Sequence, residues 1–272
     1  MKKLFKSLIY FGVLFFSVSS ATAGETVSAY LQGAYVEESV AKTKLKEAGF
    51  EVIATYSPVK DGVTLVFTNE ALKAEGAKPK RAHAAILRMF IDSQMKTVSI
   101  TNPIYFGKAF MQDAYKKDVF TAQYKKINAA FAGLKGSVDK LGFDDLADFH
   151  FMMGMPYYGD FDLLAKASNE ELLTKARAFK EGKSLVFELK LSNNSTLLGY
   201  DLGGRTKKFV DKIGRVNATV LPYCIAVENG VASALTPKYY LAISYPLLTM
   251  GEFMTISTVP GAILQDLQKP FN

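Results

Sequence analysis

A shift of 133 residues lays one stretch of this chain over another. Glu37 and Glu38 fall on Glu170 and Glu171, Lys42 on Lys175, Gly49 on Gly182, Leu65 on Leu198 and Phe67 on Tyr200. With one residue of slip, a shift of 134 carries the register on. Ala84 then meets Ala218, Leu87 meets Leu221, Ile91 meets Ile225, Ser99 meets Ser233, Pro103 meets Pro237 and Tyr105 meets Tyr239. Self-similarity at a fixed spacing over about seventy positions constrains the fold more than any other feature. It predicts two tandem copies of one structural unit.

Each copy carries the same local signals. Ala41, Leu45 and Ala48 share a helical stripe in the first copy, and Leu172, Leu173, Ala176 and Phe179 share one in the second. Both stripes end at a glycine, Gly49 or Gly182, as helix C-termini prefer. The runs FEVIATYS and SLVFELKL then read as strands, followed by turns at KDG and NNS and by the strands VTLVFT and TLLGYD. A short helix is expected around Glu70–Glu75 and around Thr206–Ile213. Long strands are expected through HAAILRMFID and ATVLPYCIAV, and last strands at KTVSIT and VASAL. Asn229-Gly230 marks a tight hairpin. The prediction is an α+β fold of two β-α-β-β-α-β-β units, with antiparallel sheets and helices on one face. The units span residues 24–106 and 161–245. A mostly helical connection is expected over 107–160 and a helical tail over 246–272.

This order resembles the domain of unknown function 302 family. The residues that carry the likeness are LKEAGFEVIATY (Leu45 to Tyr56), a helix ending in Gly-Phe before a strand, and VLPYCIAVENG (Val220 to Gly230). In the latter, Cys224 stands one place later than the family's Leu-Pro-Cys. The first copy has Leu87-Arg88-Met89 there and lacks the motif. Asn102-Pro103 matches the family's closing Asn-Pro, and the second copy has Thr236-Pro237. The resemblance implies a fold and carries no activity.

The first 23 residues have a lysine-rich start (Lys2, Lys3, Lys6), an apolar run from Leu8 to Val18, and the ending Ala21-Thr22-Ala23. This is the pattern of a secretory signal cleaved after Ala23, with an apolar run too short to span a bilayer. The expected location is the periplasm, with no integral membrane span after cleavage. Cleavage leaves 249 residues and lowers the net charge from +7 to +4. No dense basic run points to nucleic acid. Cys224 is the only cysteine, so no internal disulfide can form and stability must come from burial.

The segment DFHFMMGMPYYGDFD brings together His150, Met152, Met153 and Met155, donors that suit copper(I) or haem iron. As a strand it puts His150 and Met152 on one face and Met153 and Met155 on the other; as a helix it pairs His150 with Met153. Neither arrangement gathers three donors. The reading is therefore methionine-filled core, followed by a Pro-Tyr-Tyr-Gly loop. His83 reads as a surface or strand-end histidine, and Cys224 as a buried, inert thiol. Three Ser-x-x-Lys pairs lack the companion motifs of penicillin-recognising enzymes, and no G-x-S-x-G elbow is present. Tyr105-Phe106 and Tyr239-Tyr240 occupy matching places after the two prolines. Tyr105, Tyr239 and Tyr240 are the candidates for lining a small-ligand cleft between the units. The function expected is a non-enzymatic accessory or small-ligand-binding protein without a cofactor, its partner a small molecule or a periplasmic protein. The alternatives are a metal- or redox-handling factor built on the His150/Met segment, and a hydrolase or isomerase.

Overall fold

The computed structural model describes residues 24–272; the leader expected over 1–23 lies outside the described residues. The first half runs β1 (Thr26–Ser28), β2 (Tyr30–Ala34), α1 (Glu38–Glu47), β3 (Glu51–Val59), β4 (Gly62–Thr68), α2 (Glu70–Gly76), β5 (Leu87–Asp92), β6 (Thr97–Thr101) and α3 (Pro103–Met111). A connection follows with α4 (Lys117–Ala130), β7 (Lys135–Gly136) and β8 (Lys140–Gly142). The second half is β9 (Phe161–Lys166), α5 (Asn169–Ala178), β10 (Leu185–Lys190), β11 (Thr196–Tyr200), α6 (Gly204–Lys207), α7 (Phe209–Ile213), β12 (Tyr223–Glu228), β13 (Val231–Leu235) and α8 (Pro237–Ser244). The tail forms α9 (Met250–Thr255) and α10 (Val259–Gln268). The fold is α+β. Among the described residues, no helix is long and apolar enough to cross a membrane.

The two main sheets are wholly antiparallel and share one strand order. The first is β3-β4-β5-β6-β2-β7 and the second β10-β11-β12-β13-β9, so within these two sheets β7 has no counterpart among the described residues; β1 and β8 pair separately. The registers locate the differences between the halves. Val66 pairs with Arg88, and Gly199, 133 residues after Val66, pairs with Cys224. Arg88 and Cys224 are 136 apart, so β12 is offset by two residues from the spacing read in the sequence. The β12–β13 hairpin turns in two residues, Asn229-Gly230, where the β5–β6 turn takes four, and this restores a spacing of 134 for Ser99 and Ser233. The matches of Leu87 with Leu221 and Ile91 with Ile225 are therefore not matches of sheet position. The spacing of corresponding strand positions is thus 133 at β4 and β11, 136 at β5 and β12 and 134 at β6 and β13, and the near-equal outer values hide the shift of the middle strand.

One face of each sheet lies under helices. In the first half, Leu65, Phe67, Met89 and Ile100 share a core with Ala41 and Leu45 of α1 and with Phe120 and Ile127 of α4. In the second, Leu198, Tyr223, Ile225 and Ala234 share one with Leu172, Leu173 and Ala176 of α5. The opposite faces turn toward the other half. Val66, Ala82, Ala85 and Ile86 of the first half form one apolar cluster with Phe187, Leu189, Leu197, Cys224 and Ala226 of the second.

The expected long strands through HAAILRMFID and ATVLPYCIAV are each shorter than their apolar runs. Ala82–Ala85 and Arg215–Val220 are 3-10 turns that precede β5 and β12. Each turn packs on the other half's sheet: Ala82–Ala85 on β11 and β12, Arg215–Val220 on β5 and β6. Burial against the partner sheet explains the hydrophobicity that reads as strand. Pro103 and Pro237 open α3 and α8, where a missing N–H costs nothing. The aromatic pairs that follow them therefore sit on central helices.

Candidate functional site

Between the Ala82–Ala85 turn and the second sheet lies a cleft of about 380 Å³ made by both halves. One wall is Pro79, Lys80, Ala82 and His83. The facing wall is the strand surface of Leu163, Ala226, Glu228, Val231 and Ser233, with Phe161 and Gly159 closing the end. The Pro-Tyr-Tyr-Gly loop is fixed there by Tyr158. Its O–H donates to the Lys80 carbonyl at 2.7 Å, its ring lies 5.3 Å from Phe161, and the Arg81 guanidinium sits over the ring at 5.2 Å. The size, the largely apolar walls and the few polar groups are those of a small-molecule site.

His83 is the pivot of this site. It is buried, contrary to the expectation of a surface residue, because the 3-10 turn that carries it is pressed into the second half. Its ring stacks on Phe161 at 6.0 Å and meets Phe110 edge-on at 6.4 Å. Nε2 has no hydrogen-bond partner. Burial, and then the positive charge of Arg88, push the imidazole pKa down to about 3 against an opposing backbone hydrogen bond to Cys224. His83 is therefore neutral at physiological pH.

Behind His83 lies a void of about 10 Å³, bounded also by Arg88, Phe110, Tyr223, Cys224, Leu235 and Tyr240 and of the order of one water. Arg88 is buried, yet no carboxylate pairs with it among the described residues. One terminal nitrogen donates to the Pro222 carbonyl and to Cys224 Sγ, each at 3.0 Å, and Nε has no partner. Arg88 and Cys224 occupy equivalent strand positions, so this contact joins the halves where their sheets correspond. Burial pushes the Cys224 thiol up and Arg88 opposes it.

The tyrosines picked out from sequence lie deeper than a cleft wall. Tyr105 is fully buried and donates to the Ile243 carbonyl at 2.8 Å, tying α3 to α8. Tyr239 is buried with its hydroxyl unpartnered. Tyr240 donates to the Val220 carbonyl at 3.2 Å and borders the small void. Neither Tyr105 nor Tyr239 lines the 380 Å³ cleft. The His150/Met segment is likewise corrected: it is neither core nor a regular element. Met153 is 95% exposed and Met152 42% exposed. The His150 ring packs on Tyr157 at 4.5 Å, with Nδ1 3.4 Å from the Asp148 carbonyl, and Met155 is partly buried. Glycine and proline at 154 and 156 keep the segment irregular, so its apolar side chains have no sheet or helix face to bury against. Sequence reasoning missed Phe161, Leu163, Glu228 and Ser233 as wall residues. The one available signal was a strand on each side of Asn229-Gly230 alternating small and polar residues.

Compared with family models, curated proteins and solved structures, the chain matches none.

Proposed function

We propose that this chain is an exported, periplasmic small-ligand-binding protein without catalytic chemistry, and that its site is the cleft between His83 and the β9–β13–β12 surface. The observation that carries this reading is a pocket walled by both halves and bordered by a buried, neutral histidine whose Nε2 is unpartnered. The cleft's volume and its mixture of apolar walls with a few polar side chains suit a small molecule. An acid/base enzyme is less well supported, since no carboxylate or nucleophile is hydrogen-bonded to His83 Nε2. The metal-handling alternative has its methionines on an irregular, largely exposed loop. The same proposal holds the two halves to be copies of one ancestral unit, similar to the domain of unknown function 302 family.

Native mass spectrometry of protein recovered from the periplasm tests this reading. The expected polypeptide begins at Gly24 and carries one retained small molecule. Ala226→Phe, which fills the cleft from its strand wall, is expected to travel at the bare polypeptide mass. A ligand retained equally by both proteins, or by neither, would count against the cleft.

A further inference from the structure

We infer that the first half carries a docking groove for a short, extended peptide segment with acidic side chains, seated along the outer edge of β3 beside α1. β3 ends its sheet, so β4 pairs with one of its edges and the other faces the groove. The groove measures about 700 Å³ and is lined by the consecutive residues Phe50 to Thr55, with Lys42 and Lys46 of α1 opposite. Successive side chains of a strand point to opposite faces, so a wall built from consecutive residues is the strand's edge, where N–H and C=O groups are presented. An extended peptide pairs with such an edge through its own main chain. The bulge at Ile53, and Pro58 farther along, keep the pairing stretch short, which suits a segment of a few residues and not a second sheet. No residue lining the groove lines the cleft.

The second half has the same helix and edge strand but ties them together. Arg177 of α5 donates to Glu188 of β10 through Nε at 2.8 Å and a terminal nitrogen at 2.6 Å. At the corresponding positions, 133 residues earlier, the first half has Lys44 and Thr55. Lys44 turns to the Ala130 carbonyl at 3.0 Å and Thr55 is exposed, so that strap is missing between α1 and β3. Phe179 of the second half corresponds to Lys46 of the first. Charge then selects an acidic occupant. Lys46 is exposed and has no carboxylate partner among the described residues. Lys126 Nζ stands 5.7 Å over the Phe50 ring at the same end of the groove. Glu51, the one carboxylate lining the groove, is held by Lys73 at 3.0 Å, and Lys42 is shared with Glu38 at 2.6 Å.

Fluorescence anisotropy of a fluorescein-labelled hexapeptide of alternating valine and glutamate tests the groove. The comparators are the same peptide with lysine for glutamate and the same peptide N-methylated at alternate residues. The valine–glutamate peptide is expected to bind at a concentration at least about tenfold below either comparator. Lys46→Glu, an exposed change on α1, is expected to weaken that binding about tenfold. Lys44→Arg together with Thr55→Glu copies the second half's ion pair into the first and is expected to abolish it. A lysine peptide that binds as tightly would overturn the acidic occupant, and an N-methylated peptide that binds as tightly would overturn pairing at the strand edge. Silence from all three peptides, or binding that survives both sets of substitutions, would overturn the groove itself. Should one variant fail to fold, the other decides.

Discussion

Acidification from pH 7.5 to pH 5 is expected to cost the protein about 2 kcal/mol of stability through His83 alone. The folded state holds this imidazole neutral down to about pH 3, whereas the unfolded chain protonates it near 6.5. A depressed folded-state pKa means that the unfolded state binds the extra proton. The contribution is thus complete above about pH 6.5 and is lost progressively as the pH falls toward 3. His83→Leu removes the titrating group and keeps an apolar side chain on Phe161. Its urea midpoint is expected to change far less over this range than the wild-type midpoint. Asp92, Glu188 and Asp266 have lowered carboxyl pKa values, so their losses come below the ordinary carboxylate range. Asp139, raised by burial, acts in the opposite direction in both proteins and cancels in the comparison. Parallel pH profiles for wild type and variant would show that His83 is hydrated.

Asp92→Ala is expected to cost about 3 kcal/mol, because it strips the carboxylate from a largely desolvated pair that joins the halves. Asp92 ends β5 and is 2% exposed. It receives Arg215 Nε at 3.0 Å and an Arg215 terminal nitrogen at 3.1 Å, and its Oδ1 also accepts the amides of Gln94 and Met95. Burial alone would raise this carboxyl; the hydrogen bonds from Arg215 and the two amides outweigh it and hold the pKa below the usual value. Arg215 sits at the start of the 3-10 turn that crosses onto β5, so the pair anchors one of the two reciprocal contacts. Arg215→Met is expected to cost less, since Asp92 keeps both amide donors, Gln94 and Met95. Chemical denaturation of both variants checks the pair of values. A loss below 1 kcal/mol for Asp92→Ala would show that the halves are not held there.

Features written in local chemistry were legible in the sequence. Asn229-Gly230 makes the two-residue hairpin it signals, and Thr249 with Glu252 forms the capping box that opens α9 inside the expected helical tail. The α+β class and the buried thiol of Cys224 were legible as well. What escaped depended on contacts between the halves. Ala82–Ala85 is as apolar as a strand because the second sheet covers it, so nothing local distinguished a buried turn from an edge strand or a buried histidine from a surface one. The tyrosines after Pro103 and Pro237 signalled the junction correctly but not its depth: α3 and α8 bury them in the central core, and the cleft opens on the sheet side. The Met152–Met155 segment failed for the converse reason. Hydropathy suggested core, and the backbone there provides no face to bury.

His83 is buried and neutral and borders the 380 Å³ cleft. The chain has two histidines, which makes imidazole ¹⁵N spectroscopy at pH 5.5 the most direct measurement. It is expected to show His83 as a neutral imidazole at that pH, well below the ordinary histidine range. A charged imidazolium would contradict the buried, neutral His83.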